Sequence, residues 1–410
     1  MKYLLYVAIL TLFPGLSLAG DWPQFHGPRG TGVSKEKNLP TKWSKDKGIA
    51  WKAEITGRGL SNPVIADGRI YVTSCSGPDQ KRLHVLCFDE KTGKKMWERN
   101  FWGTGSNVCH PTTSMAAPTP VTDGKNVYAI WGTYDIVGLD NDGNLLWYRP
   151  LVLDYPTLAC GVGHAASPTL YKGTLIVPLE NAGESLILGL KAKTGQTKWT
   201  SARKSEINFV TPIVIRRDGK PEVIVQSRWN CAAIDPTNGK VRWETAPAST
   251  MSPVTTPVFQ DGLLFTAARE GSASFFALRP SADNAEPEVV WKSRTIRLNY
   301  VSPIVYRGTL YTLSDRGRLI ATDPRTGKEI AYLNLRENYW GSMVAADGKL
   351  YMVGTKGTTT VVKLGGKMKI IARNELNDRI VTTPAIANGR IYLRSDNIKG
   401  ENTLYAIGKK

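Results

Sequence analysis

Acidic side chains are scarce in this chain of 410 residues, which has 53 Lys and Arg but only 35 Asp and Glu, for a formal net charge of +18. An excess of this size would attract anionic polymers. The basic residues are spread along the whole sequence, however, and no helix-turn-helix or zinc-finger pattern accompanies them. We therefore expect a generally basic surface without a specific nucleic-acid partner.

Long hydrophobic runs are also lacking, except at the N-terminus. There Met1 and Lys2 precede an apolar run from Tyr3 to Phe13 and small residues up to Ala19, which is the pattern of a secretory signal peptide. Residues 20–410 contain no apolar stretch of the about 20 residues that a membrane helix needs. The sequence predicts an exported protein, periplasmic or secreted, whose mature chain has no transmembrane segment.

Common catalytic signatures are missing as well. The sequence contains no Gly-x-Ser-x-Gly elbow, no Gly-Lys-Ser/Thr phosphate loop, no His-Glu-x-x-His motif and no Cys-x-x-Cys-His haem attachment. Enzymes built from repeats assemble their sites from single residues on several repeats. These absences therefore leave the question of catalysis open.

What the chain does have is a short phrase that returns eight times, at intervals of roughly 40 to 50 residues. In Ser61–Val72, a small residue and Pro63 lead an apolar run into a turn at Gly68, and an alternating apolar strand follows. The other copies begin at Pro118, Pro168, Pro212, Pro257, Pro303, Met343 and Pro384. A repeat of this length with this strand pattern is typical of a β-propeller.

A second phrase closes most repeats: an apolar strand ends near Asp, a Gly turn follows, and an aromatic residue comes four positions after the Gly. Trp97, Trp147, Trp199 and Trp243 follow this rule, and Trp291 takes the same role after a longer insertion. Glycine adopts the positive φ of a tight turn, and an outer-strand Trp can fill the wedge between neighbouring blades. We predict antiparallel blades of four strands each.

The eighth repeat, Thr383–Ile407, runs out of chain after three strands. Near the N-terminus, Gly48–Ala53 resembles an outer strand that lacks the three strands before it. We predict that it completes the last blade, which would leave no unpaired outer edge at the join. The predicted organisation is a signal peptide (1–19), an N-terminal extended segment (20–47) and an all-β, eight-bladed propeller (48–410), expected to be a monomer.

In a propeller, the connections that enter each blade and the loops between its second and third strands meet at one mouth of the central channel. We expect a polar, aromatic-lined ligand site there, although each residue taken alone is explained as well by a wet channel mouth. The connections contribute Arg58, His110, His164, Asn208, Asn299, Tyr300, Tyr339, Trp340 and Arg379. The loops contribute Tyr134, Asp135, Glu180, Asn181, Arg228, Trp229, Arg269, Glu270, Asp315, Arg316 and Asp396.

Two matching loops, Cys109-His110 and Cys160 to His164, should lie in adjacent blades. In an exported protein, nearby cysteines favour a disulfide between Cys109 and Cys160. The thiols of Cys109 and Cys160 together with the imidazoles of His110 and His164 would also suit a tetrahedral zinc or copper ion. A third reading is that the thiols are unrelated, and five cysteines leave at least one unpaired in any case.

The closing phrases Phe88–Trp97, Ile234–Trp243 and Thr322–Lys328 resemble the tryptophan-docking repeat of exported pyrroloquinoline-quinone-like, or quinoprotein-type, propellers. The opening Asp21–Pro28, with glycines shortly after it, is similar to their N-terminal signature. The resemblance covers nearly the whole mature chain. It implies the eight-bladed ring, which two functional branches of this superfamily share.

One branch is the quinoprotein dehydrogenases, which hold pyrroloquinoline quinone (PQQ) and a calcium ion over the channel. The resemblance would give Glu180 and Asn181 to calcium and Asp315 and Arg316 to catalysis. Further candidates for the cofactor site are Arg58, Asn208, Asn299, Tyr300, Trp340 and Arg379. Those enzymes commonly have a disulfide between adjacent cysteines, and this chain has no Cys-Cys pair.

The other branch is noncatalytic and includes the lipoprotein subunit of the outer-membrane protein assembly machinery. This chain resembles it in size and in compact loops, but it lacks a lipobox Cys and is strongly basic. We expect an exported noncatalytic binding or scaffolding propeller without a cofactor, which holds a protein or saccharide partner at the channel mouth. The alternative is a PQQ- and calcium-dependent sugar or alcohol dehydrogenase.

Overall fold

The structure, a computed structural model, describes residues 20–245, 254–268, 274–281, 285–365, 367–398 and 401–409. The predicted signal peptide, and the loop residues Arg269 and Glu270, lie outside these ranges. The described chain forms eight antiparallel sheets of four strands each. The predicted all-β, eight-bladed propeller is confirmed.

Each blade is a meander whose first strand lies at the channel and whose fourth lies outermost. Blades one and two consist of Val64–Ala66, Arg69–Ser76, Arg82–Asp89 and Lys95–Trp102, then Val121–Thr122, Asn126–Ile130, Asp135–Asp140 and Leu145–Pro150. Blades three and four consist of Thr169–Tyr171, Thr174–Leu179, Leu186–Lys191 and Thr197–Ala202, then Ile213–Arg217, Lys220–Gln226, Cys231–Ile234 and Val241–Glu244.

The second half of the ring repeats this order. Blades five and six consist of Val258–Gln260, Leu263–Ala268, Ser274–Arg279 and Glu288–Ser293, then Ile304–Tyr306, Thr309–Leu313, Arg318–Thr322 and Glu329–Asn334. Blades seven and eight consist of Val344–Ala346, Lys349–Val353, Thr358–Lys363 and Lys369–Glu375, then Ala385–Ala387, Arg390–Arg394, Asn402–Ile407 and Ile49–Ile55. The helical pieces of the described chain are the short α-helix Leu151–Asp154 and the 3-10 turn Pro78–Gln80. Neither is long enough to cross a membrane.

The closing strand pairs with the last blade as predicted. Ile49 lies opposite Ile407, and after a bulge Trp51 lies opposite Ala406. Trp51 also reaches the first blade, where its Nε1 donates to the carbonyl of Glu90 at 3.1 Å. The closing strand is therefore hydrogen-bonded both to blade eight and to blade one, and Trp51 packs the boundary between these two blades.

The closing-phrase tryptophans dock onto the turn of the following blade. Trp97 packs over Gly143, where φ is 79° and a Cβ would lie 2.8 Å from the indole, so only glycine leaves room for the ring. Its Nε1 donates to the carbonyl of Asn141 at 2.8 Å. Trp147, Trp199 and Trp291 make the equivalent bonds. Trp243 departs from this pattern, because its Nε1 faces Glu222 of its own blade.

A belt of small polar residues lies at the point where each blade begins. It consists of Asn62, Thr119, Ser167, Thr211, Thr256, Ser302, Ser342 and Thr383, all of them buried. In seven links of 2.7–3.1 Å, the backbone N–H of one belt residue donates to the side-chain oxygen of the belt residue in the next blade. In blade two this residue precedes Pro120, so the prediction that placed Pro118 at this position is wrong.

The N-terminal extended segment crosses the end of the channel that lies opposite the belt. Trp22 pairs with Ile65 of blade one, and Thr122 of blade two donates its N–H to the carbonyl of Pro23. Farther along the segment, Ser34 donates to Ala345 of blade seven at 2.9 Å. Gly32 lies between these contacts, so close that a Cβ would meet Ile304 of blade six at 3.0 Å. The segment therefore closes one end of the channel, a role that the sequence does not predict.

Candidate functional site

The open end of the channel leads into a cavity of about 770 Å³. The belt residues form its wall, and Phe25 of the N-terminal segment lies at its floor. Its rim carries apolar and aromatic side chains from successive blade connections: Leu60, Val162, Phe209, Val254, Tyr300, Trp340 and Val381. His110, Thr112 and Thr113 come from the long connection between blades one and two. Among the described residues that line this cavity there is no Asp, Glu, Lys or Arg.

A second, smaller cavity of about 480 Å³ adjoins it above blades six to eight. Five of the predicted site residues meet there: Tyr300, Asp315, Arg316, Trp340 and Arg379. The two cavities share Thr112, Tyr300, Trp340 and Val381, so they form one continuous mouth. We call the smaller cavity the rim pocket.

The two aromatic side chains of the rim pocket contact each other, and one of them also contacts a guanidinium group. The rings of Tyr300 and Trp340 have centroids 5.4 Å apart, tilted by 43°. The guanidinium of Arg379 lies over the Trp340 ring at 5.8 Å, within the range of a cation–π contact. Tyr300 is 41% exposed, so a face of this cluster is open to a ligand.

Behind the rim pocket lies Asp396, whose side chain is fully buried. Its Oδ2 accepts from Arg58 Nη2 at 3.0 Å and from Arg379 Nη1 at 2.5 Å. Arg394, also buried, interacts electrostatically with Asp396, and burial lowers the pKa of Arg394 to about 10. The side chain is still cationic at neutral pH, so three guanidinium groups surround one carboxylate. Predicted residue Arg58 is therefore a supporting residue behind the mouth.

Glu180, Asn181 and Asn208 lie elsewhere, and none of them lines either cavity. The Glu180 carboxylate accepts from Arg203 Nε at 2.9 Å and from Asn208 Nδ2. The side chains of Glu180 and Arg203, which form an ion pair, are almost completely buried. Asn181 Oδ1 accepts from the backbone N–H of Gly183 at 2.7 Å. Asn299 is half-buried next to Tyr300 in the chain.

The contacts of Glu180 do not fit the calcium site that the resemblance implies at this residue. Calcium takes about six to eight oxygen ligands, whereas the two Glu180 oxygens already accept from Arg203 and Asn208. The channel cavity has no cationic side chain among its described lining residues, and the cationic groups of the mouth are Arg316 and Arg379 in the rim pocket. No group of three or more metal-ligating side chains occurs in the described part of the chain.

The two loops with Cys and His are adjacent, as predicted, because the N–H of His110 donates to the carbonyl of Val162 at 3.0 Å. The predicted disulfide between Cys109 and Cys160 is not formed, and both cysteines are free. Their side chains belong to different packing clusters: Cys160 is buried between blades two and three, whereas Cys109 packs against the boundary of blades one and two. Burial raises the pKa of both thiols, which favours the protonated form.

The histidines of these loops are also separated by their surroundings. His110 is exposed at the mouth, where its Nδ1 lies 2.8 Å from Thr112 Oγ1. His164 is 1% exposed and packs against Tyr134, and burial lowers its pKa to about 4. The zinc or copper site that would have joined them is therefore not assembled in the described structure.

Several residues of the mouth are not singled out by the sequence. Phe25 reaches the channel from a segment that precedes the propeller. Thr112 reaches the rim pocket from the connection between blades one and two, and its carbonyl accepts from Arg379 Nη2 at 3.2 Å. The belt has a visible signal, namely the small polar residue directly before the Pro of most repeats. Its contribution to the channel wall depends on the closed ring.

The comparisons with known proteins agree with this architecture. A family model described as outer membrane protein assembly factor BamB matches residues 28–157 and 81–332. The protein of that name from Yersinia pestis is 22% identical over 331 residues, which cover 78% of this chain and 69% of that protein.

Two solved structures show the same fold. Quinohemoprotein alcohol dehydrogenase from Comamonas testosteroni has a TM-score of 0.67 at 14% identity, covering 95% of this chain and 81% of the enzyme. BamB from Moraxella catarrhalis has a TM-score of 0.62 at 16% identity, covering 87% of this chain and 99% of that protein. The family match extends over more than half of the sequence. The chain therefore belongs to the PQQ-like β-propeller repeat family whose model is described as outer membrane protein assembly factor BamB.

Proposed function

We propose that this protein is an exported, noncatalytic binding or scaffolding propeller that holds a protein partner at the mouth of its channel. The observation that carries this proposal is the chemistry of the mouth. A large cavity without charged side chains among its described lining residues lies beside a pocket that is aromatic and cationic. Such a surface suits recognition, since aromatic and Arg side chains dominate binding energy at protein interfaces.

The engagement of Glu180 supports the noncatalytic reading. A carboxylate that is buried against Arg203 cannot exchange this partner for a metal ion without leaving the guanidinium unpaired, which is costly. The family description, outer membrane protein assembly factor, also supports a role in assembly. Export to the periplasm agrees with the predicted signal peptide.

The alternative function is a PQQ- and calcium-dependent dehydrogenase of sugars or alcohols. One observation favours it: Asp315 and Arg316, the candidate base and quinone contact, both line the rim pocket. In that function, bound PQQ would accept the electrons of the substrate. Asp315 would hold the substrate proton and Arg316 would orient an anionic group.

A photo-crosslinking amino acid at position 300 tests the proposal in cells. We expect discrete protein adducts from this position and none from position 332, because Tyr332 is a comparably exposed tyrosine on the outer strand of blade six. Equal labelling from both positions, or no labelling, would contradict a partner site at the mouth. In parallel, the purified protein is titrated with PQQ and calcium. Tight binding with dye reduction by a sugar or alcohol would establish the dehydrogenase instead.

A further inference from the structure

The mouth combines two environments that one ligand could occupy together. The channel cavity is apolar at its rim and lined with hydroxyl groups below, while the rim pocket is aromatic and basic. Because four residues border both cavities, no wall separates them. A ligand that fills both must carry an uncharged, largely apolar group beside an anionic group.

The anionic part of this ligand is indicated by the arginines. Arg316 is exposed, and its side chain has no hydrogen bond or ion pair with any residue that the structure describes. Arg379, which lines the pocket, uses Nη1 on Asp396 and one contact of Nη2 on Thr112, so further N–H donors of this guanidinium have no partner among the described residues. A guanidinium group binds a carboxylate through paired hydrogen bonds. Asp315 is the one acidic residue in the described pocket lining, and Arg379 of the same lining is paired with the buried Asp396.

The apolar part is indicated by the channel rim. Leu60, Val162, Phe209 and Val254 surround an opening that leads to the buried belt. The belt oxygens accept backbone N–H groups, so the belt itself is satisfied without a ligand. A side chain that enters there gains apolar contacts and displaces water from the rim, which is the anchor-in-pocket arrangement of interface hot spots.

We propose that the mouth binds an extended acidic segment of the partner protein, with an apolar side chain in the channel cavity and a nearby carboxylate on Arg316 and Arg379. This inference rests on the proposed function and specifies the chemistry of the partner. The two groups belong close together along the segment, because the cavities that would hold them share four lining residues. The net charge of +18 favours encounter with an acidic segment.

Selection from a random nonapeptide library on the purified protein tests the proposal. We expect enriched peptides in which an apolar residue and an Asp or Glu lie close together. The best peptide is then measured by fluorescence anisotropy, together with a version in which its acidic residue is replaced by the amide. Arg316→Gln should weaken the acidic peptide about tenfold, as expected for loss of a charge-assisted hydrogen bond, and leave the amide version unchanged.

Two variants serve as controls. Arg325→Gln removes an exposed Arg of the same blade from the opposite end of the ring and should leave binding unchanged. Ala165→Leu narrows the channel cavity and should weaken peptides according to the size of their apolar residue. The proposal is overturned by no enrichment, by enrichment of peptides without acidic residues, or by equal effects of the two Arg variants. It is also overturned if an oligogalacturonate binds more tightly through Arg316, which would assign the mouth to acidic saccharides.

The two levels of the proposal can fail separately. Adducts from position 300 in cells, combined with a failed peptide selection, would keep the partner site and reject the acidic segment. Failure of both experiments would remove the partner site as well.

Discussion

The backbone N–H of Thr383 in the last blade donates a 2.7 Å hydrogen bond to Oδ1 of Asn62 in the first blade. These two residues are far apart in sequence, and their bond joins the belt across the boundary between the chain ends. The closing strand Ile49–Ile55 joins the same two blades at the outside. The join is therefore held at both its inner and its outer radius.

Removal of Asn62 should test the inner part of the join. We expect Asn62→Ala to lower the free energy of unfolding by about 1–3 kcal/mol, because the buried N–H of Thr383 loses its acceptor. Urea denaturation followed by circular dichroism measures this change. Asn338→Ala, at an exposed position, should change stability by no more than about 0.5 kcal/mol. Equal effects of the two variants would show that the belt bond does not stabilise the ring.

Deletion of residues 48–55 should test the outer part. Without this strand, the edge formed by Asn402–Ile407 is left unpaired, and Trp51 no longer covers the turn of blade one. We expect loss of the cooperative thermal transition, or aggregation. A deletion of residues 409–410, which come after the last described strand Asn402–Ile407, is the control. If the first deletion melts like the intact protein, the ring does not depend on this closure.

The docked tryptophans should contribute strongly to the stability of the ring. Trp199 packs over Gly239 of the next blade and donates from Nε1 to the carbonyl of Pro236 at 3.1 Å. We expect Trp199→Ala to cost about 3–5 kcal/mol, the usual loss for a buried Trp. Trp102→Ala, where the side chain is 61% exposed, should stay within about 0.5 kcal/mol. Similar unfolding midpoints for the two variants would contradict docking as the force between blades.

The free energy of unfolding should decrease as the pH is lowered, because His164 is buried in its neutral form. Burial lowers its pKa from 6.5 to about 4, so the folded state keeps the ring neutral while the unfolded chain takes up a proton. Above pH 6.5 this histidine does not reduce the free energy of unfolding. As the pH is lowered from 6.5 towards 4, it reduces that free energy by about 3 kcal/mol. Carboxylates titrate in the lower part of this range, so the comparison requires a variant. His164→Gln should flatten the slope of unfolding free energy against pH relative to the unsubstituted protein. An unchanged slope in His164→Gln would show that this histidine is not protonated differently on unfolding.

The fold was predictable because its determinants are local and repeated. Pro63 precedes the first strand of blade one, and Gly68 allows the turn that follows this strand. Trp97 packs over the turn at Gly143 and thereby sets the contact between blades one and two. The closing strand was predictable because the last repeat lacked one. Trp51 was missed as a docking residue because it comes three positions after Gly48 and does not follow the four-residue spacing of the closing phrase, although its Nε1 donates to the carbonyl of Glu90.

The site was predicted only in part, because its members depend on long-range partners. Tyr300, Trp340, Arg379, Asp315 and Arg316 do meet. Glu180 was assigned to calcium by the family resemblance, and nothing in the sequence shows that Arg203, which follows the outer strand Thr197–Ala202 of the same blade, reaches it. The pairing of Cys109 with Cys160 failed for a similar reason, since neighbouring loops can direct their side chains to opposite sides of one blade.

Phe25 lines the channel cavity, and its segment crosses the ring, so within the described part of the chain the channel is covered at the end away from the mouth. A molecule that enters through the mouth would then also leave through it. A large partner seated on the mouth would thus trap a small molecule beneath it, and the two would have to depart in a fixed sequence, the larger one first.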